Sequence, residues 1–279
     1  NNKTESLSYR VYGNKTISYI NIDESSGMRT YVRSLCFLFA KAVSEVLPNG
    51  KINIEHPISL GYYCTVSGDA DIDYETMRLV KSKMREYIDA NMPFEEVEEE
   101  TDKVVKLFRE KGFDDKALLL ETSGMVYSKY YRLGSSVDYF YGTLVPSTGY
   151  INLFEIESYH GQWLLRIPNR SQPDRLEPVI EQPQMLNVFK EYLKFLDIID
   201  LNNVGDMNNA NQMGKMSNII KISEAYQEKV IAKMAEQIAN RFNDGVRIVL
   251  ISGPSSSGKT TFRMRLEVQL MVNLLTPVG

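Results

Sequence analysis

A lysine followed by two threonines closes the stretch Ser252-Gly253-Pro254-Ser255-Ser256-Ser257-Gly258-Lys259-Thr260-Thr261, and its spacing is that of the phosphate-binding loop G-x-x-x-x-G-K-[ST]. These residue types at this spacing suit a polyphosphate. Successive backbone N–H groups at the start of a helix point at the anion, and the helix dipole favours negative charge there. Gly253 and Gly258 permit the chain to wrap, Lys259 reaches the β- and γ-phosphates, and the Thr260 hydroxyl sits on the Mg²⁺ that bridges them. The nucleotide-binding candidates are therefore Gly253, Pro254, Ser255, Ser256, Ser257, Gly258, Lys259, Thr260 and Thr261. Lys259 is the candidate with a catalytic role, and ATP or GTP with Mg²⁺ is the expected ligand. The cysteines and histidines offer less. Cys36 and Cys64 lie in apolar surroundings and read as reduced core thiols. With only His56 and His160 besides, a zinc site would need almost every soft ligand in the chain, so no zinc is expected.

The elements that must position the loop fit it. Val246–Ile251 is a β-branched run read as a buried parallel strand, and Phe262, Leu266, Leu270 and Leu274 recur every four residues, as on one face of a helix. Phosphoryl transfer also needs a second metal carboxylate and a group that positions the nucleophile. The nineteen residues after Thr260 encode neither, so residues 246–279 read as the first strand, loop and helix of a kinase-type domain in a chain cut short.

Upstream, the 279 residues have room for two or three domains, with 43% hydrophobic and 24% charged residues in a soluble, globular balance. No apolar run approaches twenty residues and no secretory leader opens the chain, so no membrane partner and a cytoplasmic location are expected. The net charge of −4 is set against a dedicated nucleic-acid binder, although one basic face is compatible with it. Residues 4–22 alternate as a small hairpin. Helices are predicted over 30–47, 74–90, 101–111, 184–196 and 217–242, and two strands with a tight turn over 51–67. The run Glu95–Glu100 reads as a solvated acidic face. Residues 118–166, rich in Tyr, Val, Ile and Phe between glycines, read as an antiparallel sheet. Turn chemistry without an apolar period places a domain boundary at 202–211.

Several phrases of the middle region, Gly27-Met-Arg-Thr-Tyr-Val-Arg33-Ser34, Pro57-Ile-Ser-Leu-Gly61-Tyr62-Tyr63, Tyr131-Arg-Leu-Gly134 and Val137-Asp138 through Val145-Pro-Ser-Thr-Gly149, resemble the second additional domain of threonyl-tRNA synthetases. That domain removes mischarged amino acids. The opening residues resemble the tail of the TGS domain that precedes it. Ile251 to Phe262 looks like the phosphate loop of uridine kinases and their phosphoribulokinase relatives. The whole is similar to bacterial uridine kinase-like proteins with synthetase-type domains at the N-terminus. The resemblance implies an α+β synthetase-type domain followed by the start of a P-loop α/β domain: 1–22 TGS-like, 23–201 second-additional-domain-like, 202–245 linker and long helix, 246–279 kinase start. It also implies ATP-dependent phosphoryl transfer to a nucleoside substrate in the complete protein.

The departures bear on chemistry. The editing domains carry a His-x-x-x-His pair where this chain has Arg33-Ser-Leu-Cys36-Phe37, and a Cys-x-x-x-His pair where it has Phe140-Tyr-Gly142-Thr143-Leu144. Acid–base groups are replaced by packing groups, so hydrolytic editing is not expected. The alternative to a kinase is a tRNA- or nucleotide-sensing module, with support from Lys81, Lys83, Arg85, Arg166, Arg170 and Arg175. A homo-oligomer would supply a neighbour for the unpaired strand.

Overall fold

The computed structural model describes residues 4–68 and 72–279, and the chain divides into two compact units, Asn1–Asp206 and Met207–Gly279. The first is organised on α1 (Ser25–Val46), which starts five residues before the predicted helix because Glu24 is an extended N-cap whose carbonyl accepts from Met28 N at 2.9 Å. Tyr31, Leu35, Phe37, Leu38, Phe39 and Ala42 are buried around most of α1, leaving one narrow stripe, Arg29, Arg33, Cys36, Ala40 and Ser44, partly exposed. A helix whose apolar arc is this wide belongs against a core on most of its circumference.

Two antiparallel sheets flank it. The first has the order β1 (Lys51–Ile58), β2 (Gly61–Ser67), β7 (Gln162–Arg166), β6 (Glu155–Tyr159). Alternation divides its strands between two cores. Cys64, Trp163, Leu165 and Ile156 join α1 and α2 (Tyr74–Asp89), while Tyr63, Leu164 and Tyr159 join Leu186 of α5 (Pro183–Ile198) on the other face. The Ser59-Leu60 link between β1 and β2 has positive φ at both residues, the geometry of a two-residue hairpin loop. The second sheet, β3 (Glu95–Glu100), β4 (Tyr127–Leu133), β5 (Ser136–Asp138), alternates likewise. Tyr130 packs with Phe108 of α3 (Thr101–Glu110) and Leu120 of α4 (Asp114–Glu121), whereas Tyr131 and Leu133 face the central core.

Three expectations are corrected here. Residues 118–166 form two sheets rather than one, and their first part is the end of α4; the leucine run reads as strand, but Asp114 and Asp115 in the first turn favour a helix and Ala117 and Leu120 give it a buried face. The acidic run is β3, whose Glu96 accepts from Lys129 (2.6 Å) and Tyr131 (2.9 Å) and whose Glu99 accepts from Tyr130 (3.2 Å), so its solvated face is only partial. The opening hairpin is absent among residues 4–22, where Leu7, Tyr12, Ile17 and Tyr19 are at least 60% exposed; a strand pair this short has no stability without a third partner.

In the second unit α7 (Met216–Phe242) and α8 (Lys259–Val272) interlock through Ile231, Ala235, Leu266 and Leu270. Glu228 of α7 accepts from Arg265 Nε (3.0 Å) and Nη2 (2.5 Å) and from Gln269 (2.7 Å) of α8. Residues 246–251 are not a strand: among the described residues no neighbouring strand completes their hydrogen bonds, and Ile248 and Leu250 are exposed. Leu274 lies beyond α8 and is 94% exposed, so the predicted stripe ends at Leu270. The division after Asp206 falls inside α6 (Val204–Gln212), where turn residues had been expected; Asn203 Oδ1 accepts from Asp206 N at 2.9 Å and starts that helix. No helix among the described residues is long and apolar enough to cross a membrane.

Candidate functional site

Each unit carries a candidate site. In the second, Gly258 (φ +79°) turns the chain into α8 and Ser256 (φ +60°) bends the loop before it. A side chain at 258 would strain that left-handed cap. An open cavity of ≈650 Å³ is lined by Gly253, Pro254, Ser257, Gly258, Lys259 and Thr261 together with Gln227, Ile231 and Arg265. Ser255, Ser256 and Thr260 lie outside that lining and are exposed. Lys259 Nζ donates to the carbonyls of Gly253 (2.8 Å) and Pro254 (2.5 Å). Ser255 and Ser256 form a turn, and the N–H groups of Ser255, Ser256 and Gly258 make no hydrogen bond among the described residues. The loop thus offers a row of free donors beside an ammonium held only by neutral carbonyls, which fits an anion bearing several oxygens.

In the first unit, α1 and the segment after β5 bring the four substituted positions together. Phe37 and Phe140 pack at 5.5 Å between ring centroids, Phe37 and Phe94 at 5.9 Å, and Tyr131 and Phe140 at 6.4 Å, while Leu144 is buried beside them. Arg33 turns away from these rings and donates from Nε (3.1 Å) and Nη2 (2.9 Å) to Thr143 O. Ser34 Oγ donates to Thr30 O (2.8 Å) and accepts from Val145 N (2.9 Å), so the helix also fixes the following turn. Thr148 completes that turn by accepting from Met92 N (2.8 Å) and donating to Tyr87 O (2.6 Å).

The titratable side chains around the packed rings are buried or paired. Burial pushes the Cys36 thiol up to about 12, and the Cys64 thiol is raised by the same cause, so both are neutral and unreactive at ordinary pH. Asp138 is buried and raised by desolvation, against the pull of Lys116, with which it pairs. Tyr131 is likewise raised, by burial and by the hydrogen bond it donates to Glu96. No group of three or more His, Cys, Asp or Glu side chains able to hold a metal occurs among the described residues. His56 stacks on Phe189 (4.3 Å) and His160, in the β6–β7 turn, pairs with Glu181 (2.9 Å).

The residues read as a basic face are largely neutralised. Lys81 pairs with Glu155 (2.5 Å), Lys83 with Glu86 (2.9 Å), Arg166 with Glu157, and Arg175 approaches Glu177 at 3.8 Å. Arg85 donates to Asn152 O and lies over the Phe154 ring.

No protein-family model matches the chain. It is similar to part of several threonine–tRNA ligases: 26% identical over 199 residues to that of Carboxydothermus hydrogenoformans, covering 71% of this chain and 31% of the relative. The enzyme of Geobacter sp. M21 is 31% identical over 130 residues (47% and 20%), and that of Rubrobacter xylanophilus 25% identical over 163 residues (58% and 25%). The chain spans between about a fifth and a third of the length of these relatives. Mixed α/β structure with antiparallel sheets agrees with this likeness, and the chain carries a threonyl-tRNA synthetase-like region.

Proposed function

We propose that the chain joins a synthetase-like ligand-binding module, without hydrolytic machinery, to a nucleotide-binding loop, and that it senses nucleotide or tRNA. The observation that carries this reading is the cleft filled by Phe37, Phe140 and Leu144. A filled cleft cannot activate water, yet the surface around it remains. The relatives' name ties them to tRNA, which makes a tRNA end one partner of this module. At the loop, Lys259 and the free N–H groups would hold the phosphates of ATP or GTP, and the exposed Thr260 hydroxyl would take a Mg²⁺ ligand position. The proposed division is 1–22 (TGS-like), 23–201 (synthetase-like), 202–245 (linker and long helix) and 246–279 (nucleotide loop), with a cytoplasmic setting and self-association among its properties. Equilibrium binding of Mg–ATP and of labelled tRNA tests the reading. Nucleotide binding is expected in the wild type and lost in Lys259→Ala, and mischarged tRNA is expected to remain intact. Release of amino acid from that tRNA, or binding of neither ligand, overturns it.

The loop favours a second reading for the complete protein. Lys259 and Thr260 at the start of α8, in a stretch spelled like that of uridine kinases, support phosphoryl transfer from ATP to a nucleoside such as uridine. Phosphorylation of uridine that disappears in Lys259→Ala would select this reading over sensing alone.

A further inference from the structure

Arg29 and Arg33 stand one turn apart on α1, and neither has a carboxylate partner among the described residues. Several half-buried cations elsewhere in the unit do, Lys81, Lys116 and Arg166 among them, whereas Arg85 donates to the Asn152 carbonyl and lies over the Phe154 ring. Arg33 Nη2 donates to Thr30 Oγ1 (3.2 Å) and, with Nε, to the Thr143 carbonyl, while Nη1 donates to no acceptor among the described residues. These acceptors are neutral, so they orient the guanidinium without compensating its charge. The nearest carboxylate preceding the helix, Glu24, accepts from Asn21 N at 3.3 Å instead. Burial is the chief cause that lowers the Arg33 pKa; Tyr131 opposes it and the like charge of Arg29 adds to it. The space is shaped by Gly142 (φ +125°), where a Cβ would lie 2.9 Å from Arg33 Cζ and 3.0 Å from Nη2. Thr30 and Thr143 bring their hydroxyls to 3.3 Å of each other on the same rim.

We propose that Arg33, with Arg29 and the hydroxyls of Thr30 and Thr143, binds an oxyanion, a carboxylate or a phosphate, on the rim of the filled cleft. The inference rests on the reading of residues 23–201 as a ligand-binding module and names the chemistry of its ligand. The replacement of acid–base groups by an arginine thereby exchanges hydrolysis for anion recognition. The fork geometry and permanent charge of a guanidinium suit that task.

Inorganic phosphate and acetate, titrated separately, distinguish the two sources. The titrations use the full chain carrying Lys259→Ala, so that the phosphate loop is silent, and follow the Arg33 Nε–H signal by NMR. One probe is expected to shift it saturably. Arg29→Gln, an exposed change that leaves the Thr143 contacts intact, is expected to weaken that probe about tenfold. Gly142→Ala is expected to abolish the shift by displacing the guanidinium. Absence of a saturable shift with both probes, or equal affinity in Arg29→Gln, overturns the inference. Either outcome is independent of tRNA and Mg–ATP binding in the wild type, so failure here is separable from failure of the module reading.

Discussion

Asp138 shows how one residue can couple the packed cleft region to pH. Its carboxylate is buried at the end of β5, and desolvation raises its pKa although Lys116 and Tyr139 N stabilise the charge; Asp115 adds to the rise. Folding therefore favours its protonated form. Such a group stabilises the fold below its ordinary value of 3.8, and that stabilisation is lost as pH rises through the raised value. Urea titrations of wild type and Asp138→Asn across this window are expected to differ most at the acid end, the wild type gaining on the variant as pH falls. A difference that grows towards neutral pH would show that the pair with Lys116 outweighs burial. At this scale the sequence showed which chemical groups were missing, because a phenylalanine in place of a histidine is visible without coordinates. It did not show that Arg33 leaves the cleft for Thr143, since that contact depends on a glycine 109 residues away having φ +125°.

Among the elements, α8 depends on α7. Its buried residues are Leu266 and Leu270, and their partners Ile231 and Ala235 come from α7. Leu266→Ala removes a 4%-exposed side chain from this small core and is expected to cost about 2–5 kcal/mol in urea unfolding. Leu274→Ala, at 94% exposure, is expected to stay within about 0.5 kcal/mol of wild type. Equal effects would mean that the helix packs on another face. The long helices were legible because their apolar residues repeat at 3–4 spacing over three or more turns. α4 was not, since its eight residues contain three consecutive leucines and show no helical period. The strand expected at 246–251 failed for a different reason. Its residue types favour a buried strand, but a strand is completed by hydrogen bonds to neighbours, and local composition carries no information about whether those neighbours are present.

Over the whole molecule, each apolar cluster draws its residues from one unit: three lie within Asn1–Asp206 and one within Met207–Gly279. Separate cores favour separate unfolding steps, because cooperativity is carried by shared buried contacts. A nucleotide bound at the loop would stabilise only the unit that contains it. At a ligand concentration of 100 times Kd, mass action raises that unit's stability by about 2.7 kcal/mol. Calorimetry is therefore expected to resolve two transitions, with Mg–ATP moving one upward and leaving the other in place, and with Lys259→Ala removing the movement. Lys259 contributes little to the native fold, donating only to Gly253 and Pro254 carbonyls of its own loop, so the variant should melt like the wild type without nucleotide. If a single transition moves as a whole, binding at the loop reports on both units together. The synthetase-like module would then be coupled to the nucleotide through the folded chain.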